Sequence, residues 1–145
     1  GRDRAARERH CRRRARSHRR LMSILGIGVD VVALDRIADL CAQRPAQFAA
    51  RIFTENEQRH FQPQPDIARI AARFAVKEAV AKALGTGIGQ VGWQDIETTN
   101  RPDGAPVVTL HGSAQELAAA KGVKTVHCSI SHERTVAVAM IILEG

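Results

Sequence analysis

The segment from 66 to 84 constrains the fold more than any other part of this chain. Its apolar residues recur at intervals of three and four, so one face of an α-helix would carry most of them. Asp66 is a suitable N-cap, and Gly85 stands where a helix of this length commonly ends. The pattern therefore predicts a long helix with a buried apolar face. The residues of this face are Ile67, Ile70, Ala71, Phe74, Ala81 and Leu84.

Shorter elements precede this helix. The β-branched run 24–32 predicts a buried strand that ends near Asp30. Apolar residues at helical spacing predict one helix over 33–44 and a second, short one over 46–51. The pattern Thr54-x-x-Glu57 is a capping box that opens a further helix.

Strands and helices continue in mixed order after the long helix. A second capping box, Ser113-x-x-Glu116, predicts an alanine-rich helix that ends at Gly122. The predicted strands lie near 95–99, 107–111, 125–131 and 135–143. This order predicts an α+β fold, in which a largely antiparallel sheet has one long helix packed on it.

Charge divides the chain into two parts. Residues 1–21 contain ten Arg, no Lys and two acidic residues, a charge of +8, and we expect them to be a disordered N-terminal extension. Residues 22–145 contain 12 basic and 13 acidic residues and form one expected domain, although the whole chain carries +7. Met22 stands where the composition changes and is the expected functional start. A tail that binds nucleic acid or another acidic partner is the alternative.

Composition also narrows the functions open to residues 22–145. No stretch approaches the roughly 20 apolar residues that span a bilayer, so we expect no membrane partner. The three cysteines form no C-x-x-C pair, which indicates a reduced, cytoplasmic protein without a zinc site. Four Phe, one Trp and no Tyr are too few for a base-stacking surface, so nucleic acid is not an expected partner of this part.

Asp30, Glu78 and Lys82 are the first candidates for chemistry. A carboxylate at the end of an apolar strand is costly unless it has a partner or faces a site, although Asp30 would also serve as an N-cap for the next helix. Glu78 and Lys82 are four residues apart and share a helix face, where an ordinary surface ion pair is the alternative. Together the three would suit a Mg²⁺–pyrophosphate site, because Mg²⁺ favours one or two carboxylates with phosphate oxygens.

Two further features have both structural and functional interpretations. The run Gly85-Thr86-Gly87-Ile88-Gly89 follows a helix rather than a strand, so it matches neither a Walker A loop nor a Rossmann fingerprint. A helix C-cap with a flexible turn would explain it equally well. His132 lies between two predicted strands, where loops often carry function, although a lone His there is more often structural.

Several of these segments together resemble one family. They are Gly26-Ile27-Gly28-Val29-Asp30, Arg36-Ile37, Arg73-Phe74-Ala75-Val76-Lys77-Glu78-Ala79, Lys82, Gly85-Thr86-Gly87-Ile88-Gly89 and Ser129-Ile130-Ser131-His132. In this order and at these separations they are similar to holo-acyl-carrier-protein synthase, the small type of 4′-phosphopantetheinyl transferase. The resemblance covers about residues 22–145, and the combination is far more specific than any single segment.

The resemblance implies the 4′-phosphopantetheinyl transferase fold and a reaction. In that reaction 4′-phosphopantetheine passes from coenzyme A to a serine of apo acyl carrier protein, in support of fatty acid biosynthesis. Asp30 and Glu78 are implied to bind Mg²⁺, and Lys82 to stabilise or protonate the leaving phosphate. Glu78, or a metal-bound water that it orients, is the implied base.

The resemblance also implies how the two substrates are bound. Gly85, Thr86 and Gly87 would approach the coenzyme A phosphates with their backbone N–H groups, and Lys82 and His132 would contact coenzyme A. The implied carrier-docking residues are Arg36, Leu40, Phe48 and Arg51. The family is homotrimeric, with Asp30 expected from one subunit and the Glu78 helix or its loop from another.

Two hypotheses from other classes compete with this one. A non-enzymatic module that uses residues 1–21 on nucleic acid predicts steeply salt-dependent binding. A coenzyme A or nucleotide sensor would bind coenzyme A and leave the carrier unmodified. The complete set of Asp30, Glu78 and Lys82 favours an enzyme.

Overall fold

A computed structural model describes residues 21–145 of the chain. The disorder expected of residues 1–21, and the nucleic-acid tail proposed there, concern a segment that lies outside this range apart from Leu21. Within the range the α+β prediction is confirmed. In chain order the elements are β1 Ile24–Ala33, α1 Leu34–Gln43, α2 Pro45–Ile52, α3 Glu55–Arg59, α4 Ile67–Ala83, β2 Ile96–Asn100, β3 Pro106–Leu110, α5 Gly112–Ala120, β4 Thr125–His132 and β5 Val136–Glu144. None of the helices in residues 21–145 has the length and apolar character needed to cross a bilayer.

A three-stranded antiparallel sheet organises the fold. Strand β5 lies in its centre, and β1 and β4 form its edges. The register places Asp30 opposite Ala139 of β5, which in turn lies opposite Ile130 of β4. Strands β2 and β3 form a separate antiparallel pair. Residues on β1 and residues on β4 therefore lie at opposite edges of the larger sheet.

Helix α4 packs on this sheet and forms the centre of the core. Its predicted ends are confirmed, since the Asp66 side chain accepts from the Arg69 N–H (3.2 Å) and Gly85 ends the helix at a φ of +80°. Twelve of its 17 residues are buried, so sheet and neighbouring helices cover more than the single face that its sequence predicts. Gly28 lets β1 approach closely, because a Cβ there would lie 1.8 Å from the carbonyl oxygen of Ala79.

Two local predictions are wrong. Strand β1 continues to Ala33 and is not buried on both faces, because Ile27, Val29 and Val31 remain 52 to 62% exposed. Ser113 does not cap α5, which begins one residue earlier at Gly112. The Ser113 hydroxyl instead donates to Asp95 Oδ2 at 2.5 Å, so a partner distant in sequence replaces the predicted local cap.

Candidate active site

Strand β1 and helix α4 bring Asp30, Glu78 and Lys82 together in one chain. Lys82 Nζ lies 2.9 Å from Asp30 Oδ1 and 3.0 Å from the carbonyl oxygen of Val29. Asp30 is half-buried, and it caps no helix, because Ala33 occupies the N-cap of α1. The alternative reading of Asp30 as an N-cap is therefore wrong. Lys82 pairs with Asp30, 52 residues away, so the Glu78–Lys82 surface pair does not form either.

One part of the expected subunit arrangement needs correction. The resemblance places Asp30 and the Glu78 helix in different subunits, but β1 and α4 pack against each other within one chain. The contact between Asp30 and Lys82, on the same helix face as Glu78, leaves no need for a second subunit to join them.

The electrostatics of Glu78 show that two carboxylates share this site. Burial raises the pKa of Glu78, and the nearby charge of Asp30 raises it further, while Lys82 and Arg36 act in the opposite direction. The exposed ammonium of Lys82 can turn to another partner, and both carboxylates are then available as ligands for a cation.

The donor set fits Mg²⁺ completed by a substrate. Residues 21–145 contain no cluster of three or more His, Cys, Asp or Glu side chains that could hold a metal alone. Two carboxylates are the usual protein share of a Mg²⁺ site in which phosphate oxygens and waters fill the other positions. Asp30 and Glu78 therefore suit Mg²⁺ bound together with a phosphate ester rather than a self-contained metal centre.

The glycine-rich loop after α4 is used differently from the expectation. The Gly85 N–H donates to the carbonyl of Lys82, and the N–H groups of Thr86 and Gly87 both donate to the carbonyl of Ala81 (3.0 to 3.2 Å). The carbonyls of the last helical turn have no partner inside the helix, and these three donors satisfy those of Ala81 and Lys82. The three N–H groups are therefore not available to phosphates, contrary to the expectation.

His132 lies apart from the carboxylate site. It is the last residue of β4 rather than a loop residue, and two strand spacings of about 4.8 Å separate β4 from β1, so it lies roughly 10 Å or more from Asp30 within one chain. It lines a cavity of about 560 Å³ together with His60, Arg69 and Arg73. The basic residues of this cavity make it suitable for an anion.

The four expected docking residues do come together. Arg36, Leu40, Phe48 and Arg51 line one groove of about 430 Å³, called the α1–α2 groove below. The rings of Phe74 and Trp93 also line it, with their centroids 5.0 Å apart. The Arg36 guanidinium lies 5.5 Å from the Phe74 ring centroid and also influences the pKa of Glu78, so the groove adjoins the carboxylate site.

Sequence reasoning missed a buried ion pair between Glu57 and Lys77. Lys77 Nζ lies 2.8 Å from Glu57 Oε2, and both side chains are fully buried. Glu57 also forms the predicted capping box with Thr54, which is confirmed and accounts for it locally. The signal was a lysine among apolar residues in the middle of a core helix, with no acidic residue three or four positions before it.

Comparison with known proteins identifies the family to which this chain belongs. A family model described as the 4′-phosphopantetheinyl transferase superfamily matches residues 26–139. A holo-[acyl-carrier-protein] synthase of Natranaerobius thermophilus is 46% identical over 121 residues, which cover 83% of this chain and 97% of that protein. The chain thus belongs to the holo-[acyl-carrier-protein] synthase family of this superfamily.

Solved structures agree with the fold. The crystal structure of holo-[acyl-carrier-protein] synthase from Neisseria meningitidis matches with a TM-score of 0.78 and 35% identity, covering 85% of this chain and all of that one. A holo-(acyl-carrier-protein) synthase from Bacillus anthracis, in complex with CoA (3′,5′-ADP), matches with a TM-score of 0.70 and 37% identity over 84% of this chain and 97% of that one. The predicted transferase fold is confirmed.

Proposed function

We propose that this chain transfers the 4′-phosphopantetheine group of coenzyme A to a serine of apo acyl carrier protein, in support of fatty acid biosynthesis. The observation that carries the proposal is the meeting of Asp30, Glu78 and Lys82 at one site in a member of this family. Adenosine 3′,5′-bisphosphate is the second product.

The transfer exchanges one phosphorus–oxygen bond for another. The serine oxygen bonds to the phosphorus that carries the pantetheine group, and the bond from this phosphorus to the oxygen of the adenosine bisphosphate breaks. The serine proton passes to Glu78, directly or through a water, and Lys82 gives positive charge or a proton to the departing oxygen.

Mg²⁺ is the proposed cofactor, held by Asp30 and Glu78. When bound, it polarises the phosphoryl group and neutralises the charge that develops during transfer. Lys82 is 53% exposed, so its ammonium can exchange Asp30 for a phosphate oxygen of coenzyme A.

The proposed coenzyme A contacts lie at two places. The first place consists of Lys82 and the loop of Gly85, Thr86 and Gly87 that follows it. A Cβ at Gly85 or Gly87 would meet nothing within 4 Å, so this loop surface is open to a ligand although its N–H groups are occupied. His132 and the basic cavity around it form the second, where Arg69 and Arg73 can bind phosphate.

The carrier protein is proposed to dock in the α1–α2 groove. Arg36 and Arg51 are exposed there beside the apolar side chains of Leu40 and Phe48. Exposed arginines around an apolar floor are complementary to a partner that presents acidic and apolar residues together, as acyl carrier proteins do. Its position next to Glu78 would bring the carrier serine to the carboxylate site.

A homotrimer is proposed on the basis of one uncovered sheet face. Ile27, Val29 and Val31 of β1 and Met140 of β5 are 45 to 62% exposed on the face away from α4. A contiguous apolar face of this kind marks an association surface. In the proposed trimer, the active sites lie between subunits, and the basic cavity of one completes the carboxylate site of another. Size-exclusion chromatography with light scattering should give three times the chain mass, and a monomer at micromolar concentration would contradict it.

The proposed location is the cytoplasm. Cys41 and Cys128 are both free, as expected where thiols stay reduced.

The experiment for the proposed function uses the full chain with an apo acyl carrier protein. With coenzyme A and Mg²⁺, intact-mass spectrometry should show the carrier gaining one phosphopantetheine group per molecule, with an equal amount of adenosine 3′,5′-bisphosphate released. An unchanged carrier mass, across several apo carriers and at enzyme concentrations equal to the carrier, would overturn the proposal.

A further inference from the structure

The buried pair of Glu57 and Lys77 takes no part in the proposed reaction, yet its polar atoms are unusually well satisfied. Besides Glu57, the Lys77 ammonium donates to the carbonyl oxygens of Trp93 (3.0 Å) and Ile96. The other carboxylate oxygen of Glu57 accepts from the backbone N–H of Thr98 at 2.9 Å. The pair therefore joins α3, the middle of α4 and the backbone that enters β2.

Stability alone does not explain such a pair. Taking two charges out of water offsets most of their attraction, and apolar side chains of similar size often stabilise a core equally well. Directional hydrogen bonds do something that apolar contacts do not, which is to fix the angle at which a side chain leaves its helix. Here the three acceptors around Lys77 come from α3, from β2 and from the turn that precedes β2, so they fix α4 relative to all three.

The rotation of α4 sets the carboxylate site. Successive side chains of a helix point about 100° apart, so holding Lys77 on the side of α3 and β2 directs Glu78 towards β1 and Asp30. Phe74 and Lys82 lie four residues before and after Glu78, on the same face. One rotation of α4 therefore places the aromatic floor of the α1–α2 groove, the Glu78 carboxylate and the Lys82 ammonium together.

We propose that Glu57 and Lys77 are positioning residues that hold Glu78 opposite Asp30 in the geometry that binds Mg²⁺, in addition to supporting the core. The inference rests on the proposed function, since it concerns the Mg²⁺ and coenzyme A site. Residues that orient metal ligands typically change metal affinity by about 10–100-fold when replaced. We expect a change of that size here.

The test separates stability from metal binding in the full chain. Lys77→Met leaves the buried Glu57 carboxylate without its cation, whereas the double variant Glu57→Gln/Lys77→Met removes both charges and leaves no buried ion unpaired. The control, Leu143→Ala, truncates a fully buried side chain of β5 that lies four residues beyond the partner of Asp30. Stability is measured by urea unfolding. Metal binding is measured in the presence of coenzyme A, as the Mg²⁺ concentration that gives half of the maximal increase in Tm.

We expect both Lys77 variants to need at least about tenfold more Mg²⁺ for half-maximal stabilisation. Leu143→Ala should lose stability but keep the wild-type Mg²⁺ requirement. A double variant with the wild-type Mg²⁺ requirement would overturn the positioning role, and so would a control whose requirement rises in step with its instability. If the double variant stays as unstable as Lys77→Met, its Mg²⁺ requirement is compared with that of Leu143→Ala. Equal requirements would again overturn the positioning role. A wild-type chain with no Mg²⁺ response in the presence of coenzyme A would overturn the proposed function itself, and this inference with it.

Discussion

Replacement of Gly28 by alanine tests whether the close approach of β1 to α4 holds the active site together. A Cβ at Gly28 would lie 1.8 Å from the Ala79 carbonyl oxygen and 2.9 Å from the Ala83 nitrogen. Ordinary contact begins at 3.4 Å, so strand and helix have to separate by about 1.6 Å. Both neighbouring atoms belong to the backbone, and no side-chain rotation relieves the clash.

The expected loss follows from this displacement. Forcing an extra methyl group into a packed core costs about 3 kcal/mol, and the lower chain entropy of unfolded alanine returns less than about 1 kcal/mol. We therefore expect the free energy of unfolding to fall by about 2 kcal/mol. Asp30 follows Gly28 by two residues and Glu78 precedes Ala79, so the same shift separates the two carboxylates. A misplacement of 1 Å can lower a rate on the order of 10²-fold, and we expect a loss of that size in carrier conversion.

The assays are urea unfolding and the initial rate of carrier conversion. Gly92→Ala is the matched control, because Gly92 has an ordinary φ of −76° and a Cβ there meets only the Asp95 side chain, at 3.1 Å. It should change both quantities little. If Gly28→Ala stays within about 0.5 kcal/mol of wild type and keeps the wild-type rate, the close approach of β1 to α4 is not what holds the site together.

Three further predictions concern other parts of the molecule. Lys77→Met should lower the free energy of unfolding in urea by roughly 3–5 kcal/mol, because it strands a buried carboxylate, and a loss below about 1 kcal/mol would contradict the buried ion pair. Arg51→Glu should raise the KM for an acidic carrier and weaken the salt dependence of that KM. Arg101→Glu, at an exposed site outside the α1–α2 groove, should change neither. Equal KM values for the two variants would argue against docking in the groove. Burial raises the pKa of Cys128 from 9.0 to about 11, so the unfolded chain loses the thiol proton first and stability should fall as pH rises from about 9 to about 11. A Cys128→Ala chain should lack this part of the fall in urea unfolding, and identical pH profiles for the two chains would contradict the shift.

Features with local causes were predictable from the sequence. The ends of α4 depend on Asp66 and Gly85, which act within one turn of the helix. The capping box of Thr54 and Glu57 likewise needs only a three-residue spacing, and it forms as predicted. These signals survive even where a residue also has distant partners, since Glu57 keeps its capping hydrogen bonds while it binds Lys77 and the Thr98 N–H.

Predictions failed where a distant residue offers a better partner. Ser113 has a suitable spacing to Glu116 for a capping box, yet its hydroxyl bonds to Asp95, 18 residues earlier. Lys82 has Glu78 at the right helical distance, but the packing of β1 on α4 provides Asp30 instead. Local spacing predicts which pairs can meet, and tertiary packing decides which of them do.

The candidate site was predictable as a set of residues but not as a geometry. Asp30, Glu78 and Lys82 are evident in the sequence as a strand-end acid and a helix face, and they meet. The pairing of Glu57 with Lys77 spans 20 residues and has no periodic signal, and the proximity of His132 to Arg69 and Arg73 depends on which sheet edge β4 occupies. Both follow from topology, which the order of elements alone does not specify.

Asp30 and Glu78 together form the proposed reaction centre, and variants of these two carboxylates test this role. Carrier conversion is followed by intact mass, at equal enzyme and carrier concentrations, for Asp30→Asn, Glu78→Gln and the control Asp103→Asn. The Asp103 side chain is 63% exposed, and Arg101 is its only salt-bridge partner among residues 21–145. We expect the first two chains to fold with near-wild-type unfolding curves and to leave the carrier in its apo form, while the control converts it fully. Full conversion by Asp30→Asn or Glu78→Gln would contradict this role.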